Sequence, residues 1–396
     1  MIAVACAGAQ SVLVVDDDGG AGVLTEIQHA VDAAASGDTI LIKSGSYGGV
    51  SIASKSLRLV ADQGGAATIR DGVSISDLAP GQSVGLHGLL LRSPREALVV
   101  SRCAGAVWVE DSTIQGPTAP VSTGDGVAVI DSPRVAVLRC RVTGGGAAAG
   151  SGTPAAAGLA ASNSTVYVLD STLAGGTGTP GQLLVPGGTG GAGLNVTSSK
   201  VHVQSSTVIG GTGGRGFTIL FGCSGGGRGG DGILLSGRGS VVELLDTTPR
   251  GGGAGAGGVG CANGSSGSPT LVLEGQIVAL AGTPPKLEAN TPVRDDEVLT
   301  FTTTGTPGQS TWLLLGAAPS PAALPLGPLL IDAVGLQVVP LGPVPASGVL
   351  VRNVALPTLP AGVQVATAFA QGVTVDPALG VLAGSGQMLT VLSTTF

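Results

Sequence analysis

Five stretches decide the fold: VWVEDSTIQG (107–116), VAVLRCRVTGG (135–145), VYVLDSTLAGG (166–176), VHVQSSTVIGG (201–211) and VVELLDTTPRGG (241–252). Aligned on their leading valines they start at Val107, Val135, Val166, Val201 and Val241, so the spacing widens from 28 to 31, 35 and 40 residues. A second short apolar segment precedes each one: ALVVSRC, GVAVIDS, GLAASNS, GLNVTSS and GILLSGR. The segments keep their length while the glycine-rich connection after the second one grows, which is how a solenoid behaves when one face of its coils accepts insertions. Inside VxVxxST the alternation has period two. Val107 and Val109 therefore point inward and Trp108 and Glu110 outward; Asp111-Ser112 turns a corner, and Ile114 points inward again. Hairpins would need tight turns at each end, and the crossings here are long, so the strands are expected to stack in parallel, coil on coil. About ten coils between residues 39 and 290, each near 4.8 Å, predict a rod of about 48 Å.

Outward from this core, residues 23–35 (VLTEIQHAVDAAA) place Val23, Ile27, Ala30, Val31 and Ala34 on one helical face, with Thr25 and Gln28 as a capping box. A short helix here would cover the open first coil. From about Thr291 the glycine tracts stop, and seven short apolar segments follow at near-regular intervals, the pattern of an antiparallel β-sandwich. The expected protein is all-β: a parallel β-helix over 11–285 behind a short N-terminal capping helix, then a small antiparallel sandwich over 291–396.

Composition agrees. Glycine (70 residues) and proline (24) approach the level of disordered chains, yet 43% of residues are hydrophobic and only 11% charged, the reverse of a disordered composition. The net charge of −7 and the lack of a basic stripe exclude nucleic-acid binding, and no apolar run reaches the length of a membrane-spanning helix. Residues 1–10 (MIAVACAGAQ) read as a signal-peptide remnant ending in Ala7-Gly8-Ala9, which points to secretion or the cell surface. Beyond it stand Cys103, Cys140, Cys223 and Cys261, an even set compatible with disulfides.

The stretch VVDDDGGAGVLTEIQHAVDAAASGDTILIKSGSYGGVSI (14–52) resembles the opening of the right-handed parallel β-helix (pectin-lyase-like) superfamily, especially its secreted bacterial members and pectin methylesterases. The VxVxxST coils resemble that superfamily's repeat, with Ser112, Ser171 and Ser206 where its stacked asparagine ladder often sits. The resemblance spans residues 11–280 and implies a right-handed β-helix. The superfamily holds lyases, hydrolases, esterases, tailspikes and non-catalytic adhesins, so the fold leaves the activity open. The paired Asp and Gln motifs of pectin methylesterases and the Asp-Asp plus His-Gly set of polygalacturonases are not found.

The outward column Trp108, Ala136, Tyr167, His202 and Val242 reads as a glycan-binding stripe with Glu110 and Gln204 as polar partners, or as side chains packed beneath the glycine loops. Asp111, Arg139 and Asp170 form a second column, either a salt-bridged ladder or a uronate-binding arginine between carboxylates. Glu110, Asp111, Asp125 and Asp131 lack the spacing of a glycosidase pair, His87 reads as structural, and no catalytic residue is assigned. Asp16, Asp17 and Asp18 are a weak calcium candidate, more simply a solvated turn; no other cofactor is expected. The glycine tracts are expected to stack as polyproline-II-like rods, fixed by a Cys223–Cys261 disulfide, with Cys103–Cys140 as a second pair. Together these features suggest a secreted, non-catalytic surface or matrix protein that binds glycans or other cell-surface polymers on a β-helix face. The alternatives are a divergent polysaccharide lyase or hydrolase, and a self-assembling structural subunit.

Overall fold

A computed structural model of the protein describes residues 10–20, 22–117, 123–147, 154–183, 185–219, 222–324, 327–376 and 380–396; the signal-peptide reading of residues 1–10 lies almost wholly outside them. The first part of the chain is a right-handed parallel β-helix made of three sheets. Ten strands, from Val12–Val15 to Gln276–Leu280, form the first sheet; eight, from Val50–Ala53 to Thr270–Val272, the second; seven, from Gly45–Tyr47 to Thr207–Ile209, the third. Val107, Val135, Val166 and Val201 pair in one continuous register and are buried in a single interior row.

The register at the fifth coil corrects the sequence alignment. Val201 lies opposite Val242, not Val241, so Val242 is interior and the outward column continues through Glu243. The corner residue sets the count: Asp111, Arg139, Asp170, Ser205 and Asp246 all adopt a left-handed backbone with φ of 46–50°, four positions after the interior valine in every coil. Non-glycine residues seldom take this conformation, and Asp and Asn are among those that tolerate it best.

Just past these corners runs a hydroxyl ladder. Ser112 Oγ accepts the Leu89 N–H (3.2 Å), Ser171 Oγ that of Cys140 (3.0 Å), Ser206 Oγ that of Ser171 (3.0 Å) and Thr247 Oγ1 that of Ser206 (3.1 Å). Cys140 occupies one rung. Cys103 occupies the matching rung of a second ladder at another corner, its N–H donating to Ser132 Oγ (3.1 Å). The expected Cys103–Cys140 bridge is therefore incorrect: both are free, buried thiols standing in for serines on different corners. Burial pushes the Cys140 thiol up to about 12, which keeps it protonated. Cys140→Ser is expected to change the unfolding free energy by less than about 1 kcal/mol, measured by chemical denaturation; a loss of several kcal/mol would refute the ladder role.

At the N-terminal end the helix is shorter than expected, Ile27–Ala33, and Glu26 rather than Thr25 sits at its cap without a side-chain bond. Gln28 instead ties the helix to the first coils, bonding Asp32 (2.8 Å) and accepting the Ser51 N–H (2.7 Å). Ile27, Ala30 and Val31 seal the interior.

The glycine tracts leave each coil after the third sheet and return to the second. Outgoing and returning runs form two layers of extended chain, cross-bonded in a zigzag. Gly191 N–H donates to Gly176 O, Gly211 to Gly191, Gly230 to Gly211, Gly252 to Gly230 and Gly267 to Gly252, all at 2.8–2.9 Å. Glycine recurs every third residue, the polyproline-II period, because a Cβ at Gly176, Gly211, Gly230 or Gly252 would fall on a neighbouring run's carbonyl oxygen. The three-residue period also puts Arg228 and Asp231 on one edge, where they pair at 2.6 Å.

The C-terminal segment is antiparallel except where Val293–Arg294 pairs in parallel with Gly380–Leu392. A three-stranded sheet (Lys286–Ala289, Val298–Thr304, Val349–Ala355) faces a five-stranded one that includes Ser310–Gly316, Val365–Asp376 and Gly380–Leu392. Leu287, Phe301, Leu313, Ala370 and Leu389 fill the space between them. The other face of the five-stranded sheet lies against the first sheet of the β-helix, where Phe369 and Met388, with Leu330 of a neighbouring two-stranded sheet, pack on Trp108, Leu138 and Tyr167.

Candidate functional site

This docking determines the fate of the residues picked from the sequence. Trp108, Glu110, Tyr167, His202 and Gln204 do point outward, but all are buried, beneath the C-terminal sheet rather than the glycine loops. An open glycan-binding stripe on this face is therefore ruled out. The Trp108 ring meets Phe369 edge-on at 5.1 Å, its Nε1 donates to Glu110 (2.8 Å), and Gln204 Nε2 donates to Ala383 O (3.1 Å). His202 lies 3.2 Å from Glu243.

Glu110, 0% exposed, is the centre of a charge cluster. Besides Trp108 it accepts from His87 Nδ1 (2.9 Å), the Met388 N–H (2.9 Å) and Arg139 (3.2 Å). His87 Nε2 faces the Thr291 carbonyl at 3.0 Å. With an oxygen acceptor at each ring nitrogen, His87 must donate twice, which only the imidazolium does. Burial opposes that charge, but Glu110, Asp111 and the Thr291 carbonyl outweigh it and raise the His87 pKa above its ordinary value. Arg139 also holds Asp111 (2.9 Å) and the Gly386 carbonyl (2.6 Å). For Asp111, burial works upward, but Arg139, His87 and Gln387 together outweigh it, so its pKa is lowered. Two cations and two anions of the β-helix thus balance at the interface, bonded there by backbone groups of Thr291, Gly386 and Met388. His87, read from the sequence as an ordinary strand histidine, sits in the middle, and its pairing across coils with Glu110 (the same column by register) was the available signal.

The third member of the expected ladder, Asp170, is not paired to Arg139 directly but to Lys286 of the C-terminal segment (3.5 Å). Burial raises its pKa despite both cations. His87, Asp111, Arg139, Asp170, Lys286 and Gln63 line a cleft of about 790 Å³ between the two parts. The Arg139 guanidinium is consumed by Asp111, Glu110 and backbone carbonyls, so it has little left for a uronate. His87, Glu110 and Asp111 offer atoms within 4.8 Å of one another, but the cations already neutralise the carboxylates and both imidazole nitrogens are engaged. The cluster is a latch. Asp16, Asp17 and Asp18 also lie within 4.8 Å of each other; Asp17 accepts the Ser46 N–H (2.7 Å) and Asp16 that of Asp18 (3.2 Å), the bonding of a turn. Asp125 accepts the Ala157 N–H (2.7 Å) at the root of the glycine layer, and burial pushes its carboxyl up to about 6.

A different surface is open. At the far edge of the glycine layer the loop tips join: Gly181 N–H donates to Arg215 O (2.6 Å), Gly187 to Gly225 O (2.9 Å), and Val259 to Thr218 Oγ1 (2.8 Å). Cys223 and Cys261 are disulfide-bonded there, with Cα atoms 5.8 Å apart. This braced rim displays Leu183, Val185, Phe217 and Val259, the last 83% exposed. The signal in the sequence was their position, at the middle of each glycine tract, where a packed interior is impossible.

No protein-family model matches the sequence, and no curated protein matches it. Among solved structures, pectate lyase Pel9A matches at a TM-score of 0.33 and 12% identity, over 61% of this chain and 64% of that one. Escherichia coli YbhC matches at 0.28 and 14%, over 62% and 76%. The A-module of Azotobacter vinelandii mannuronan C-5 epimerase AlgE4 matches at 0.20 and 12%, over 65% and 94%. The chain thus spans less than two thirds of the lyase.

Proposed function

We propose that the protein is an extracellular, non-catalytic binding protein whose recognition surface is the distal rim of the glycine layer, and that it engages an uncharged polysaccharide. The observation that carries this reading is the rim itself: Leu183, Val185, Phe217 and Val259 stand exposed on loops fixed by cross-layer hydrogen bonds and by Cys223–Cys261. A rigid apolar surface loses little entropy on binding and suits the C–H faces of sugar rings. Between residues 176 and 189, and again between 251 and 268, the tracts carry no charged residue; the tract between them has Arg215 at its tip and Arg228 paired with Asp231 on its returning run; a polyanion would need more positive charge. The disulfide fits an oxidising compartment.

Co-sedimentation with a panel of neutral and acidic polysaccharides tests this. A neutral polymer is expected to retain the wild type, and Phe217→Ser with Val259→Asp is expected to weaken retention at least about tenfold, the effect of losing two anchor side chains. The fold should persist, because both side chains are exposed. Equal retention of the double variant would refute the rim, and release of unsaturated or reducing-end products from any polymer would favour the lyase or hydrolase reading centred on the cleft.

A further inference from the structure

The two ends of the β-helix are finished differently. At the first coil, the open edge of strand Val12–Val15 is bonded by the following chain, with Leu24 N–H donating to Val14 O (3.1 Å) and Asp16 N–H to Leu24 O (2.9 Å). The helix Ile27–Ala33 then covers the interior. Nothing among the described residues does this at the last coil. Strands Thr270–Val272 and Gln276–Leu280 end their sheets with one neighbour each. Their interior rows run out into solvent: Val272 continues the row of fully buried Leu235 yet is 44% exposed, and Leu273 beside it is 69% exposed. Ala279 continues the row of Leu244 and is exposed. After Leu280 the chain turns back along the first sheet instead of crossing the end, as the contacts of Lys286 with Asp170 (3.5 Å) and of Arg294 with Asp62 (3.0 Å) mark out.

Edge strands in soluble proteins are usually guarded by lysines, inward charges or bulges. Here Glu274 is the one charged residue between 251 and 285. We infer that the terminal coil is an interface for a second copy of this chain, the two molecules meeting end to end through strand Gln276–Leu280 and the exposed row around Val272. The capped first coil excludes head-to-tail growth, so the contact is isologous and closes as a two-fold dimer. In that arrangement the facing strands run antiparallel, pairing the free N–H and C=O groups and burying both interior rows at once.

Sedimentation velocity from micromolar to hundred-micromolar protein tests the inference. The wild type is expected to pass from monomer to dimer and stop there, and Val272→Lys with Ala279→Lys to weaken association at least about tenfold by setting like charges face to face. Ala279→Cys gives an independent route: under oxidation it should yield a dimer linked through that position, identified by mass spectrometry. A wild type that stays monomeric, oligomers that keep growing with concentration, or a dimer untouched by the lysines with no cross-link in the Ala279→Cys variant would each overturn it. Rim binding to a polysaccharide is read separately and does not depend on this outcome.

Discussion

Gly211→Ala is expected to destabilise the protein by about 3 kcal/mol, at the upper end of what overpacking a close-packed interior does, whereas Gly222→Ala should change stability by less than about 0.5 kcal/mol. Both are glycines in the same region, and helix or strand propensity does not separate them. The difference is what lies next to the missing side chain. Gly211 sits between the two layers, donating to Gly191 O and accepting from Gly230, each at 2.8 Å, and its Cβ would land on the Gly176 carbonyl. A flexible side chain could move aside; a backbone held by its own cross-layer bonds cannot. At Gly222 a Cβ meets nothing within 4 Å. Thermal and denaturant unfolding of the two variants decides the matter, and a Gly211→Ala variant as stable as the wild type would mean that the layers are not in contact. Ordering glycine is entropically unfavourable, so these tracts stay ordered only while every run keeps its neighbours; one methyl group is expected to loosen the rim as well as the layer.

The parts of this molecule that were legible from sequence share one property: they repeat. The interior row through Val107, Val135, Val166 and Val201 could be read because each coil restates the same alternation and the same corner. The reading slipped at Val241–Val242, where two valines in succession left the alternation ambiguous; counting back from Asp246, the corner residue, resolves it. The Cys223–Cys261 bridge was legible since both residues sit at the same depth in neighbouring tracts. Cys103 and Cys140 misled because thiols on serine rungs leave the same even count as a bridge. What could not be read was the return of the C-terminal sheet over Trp108 and Tyr167. An outward aromatic on a strand looks the same whether its partner is a ligand or residues 369 and 388, and that contact is made once, between segments far apart in the chain.

The same docking predicts a dependence on pH and on one carboxylate. Glu110→Gln is expected to cost about 4 kcal/mol, because removing one partner of a buried ion cluster leaves the others uncompensated. His87 and Arg139 would then share Asp111 alone. Removing both Glu110 and His87, as Glu110→Leu with His87→Leu, leaves the balanced pair Arg139–Asp111, so the double change should cost at least about 2 kcal/mol less than the sum of the single ones. The titration follows from the same geometry. His87 has a pKa raised above 6.5 in the folded protein, so its contribution is fully present below about 6.5 and is lost as the pH rises through the raised value. Asp111 is shifted the other way, below its ordinary 3.8; its contribution is present above that value and disappears as the pH falls through the lowered one. Between these limits the C-terminal sheet is held most firmly. Trp108 reports the state of the interface directly, and in a Trp312→Phe background its emission should shift to the red at lower denaturant on the alkaline side, with His87→Leu abolishing that alkaline loss. Emission insensitive to pH together with strictly additive substitutions would show that apolar contact alone holds the sheet in place, and that the four charges at its centre are spectators.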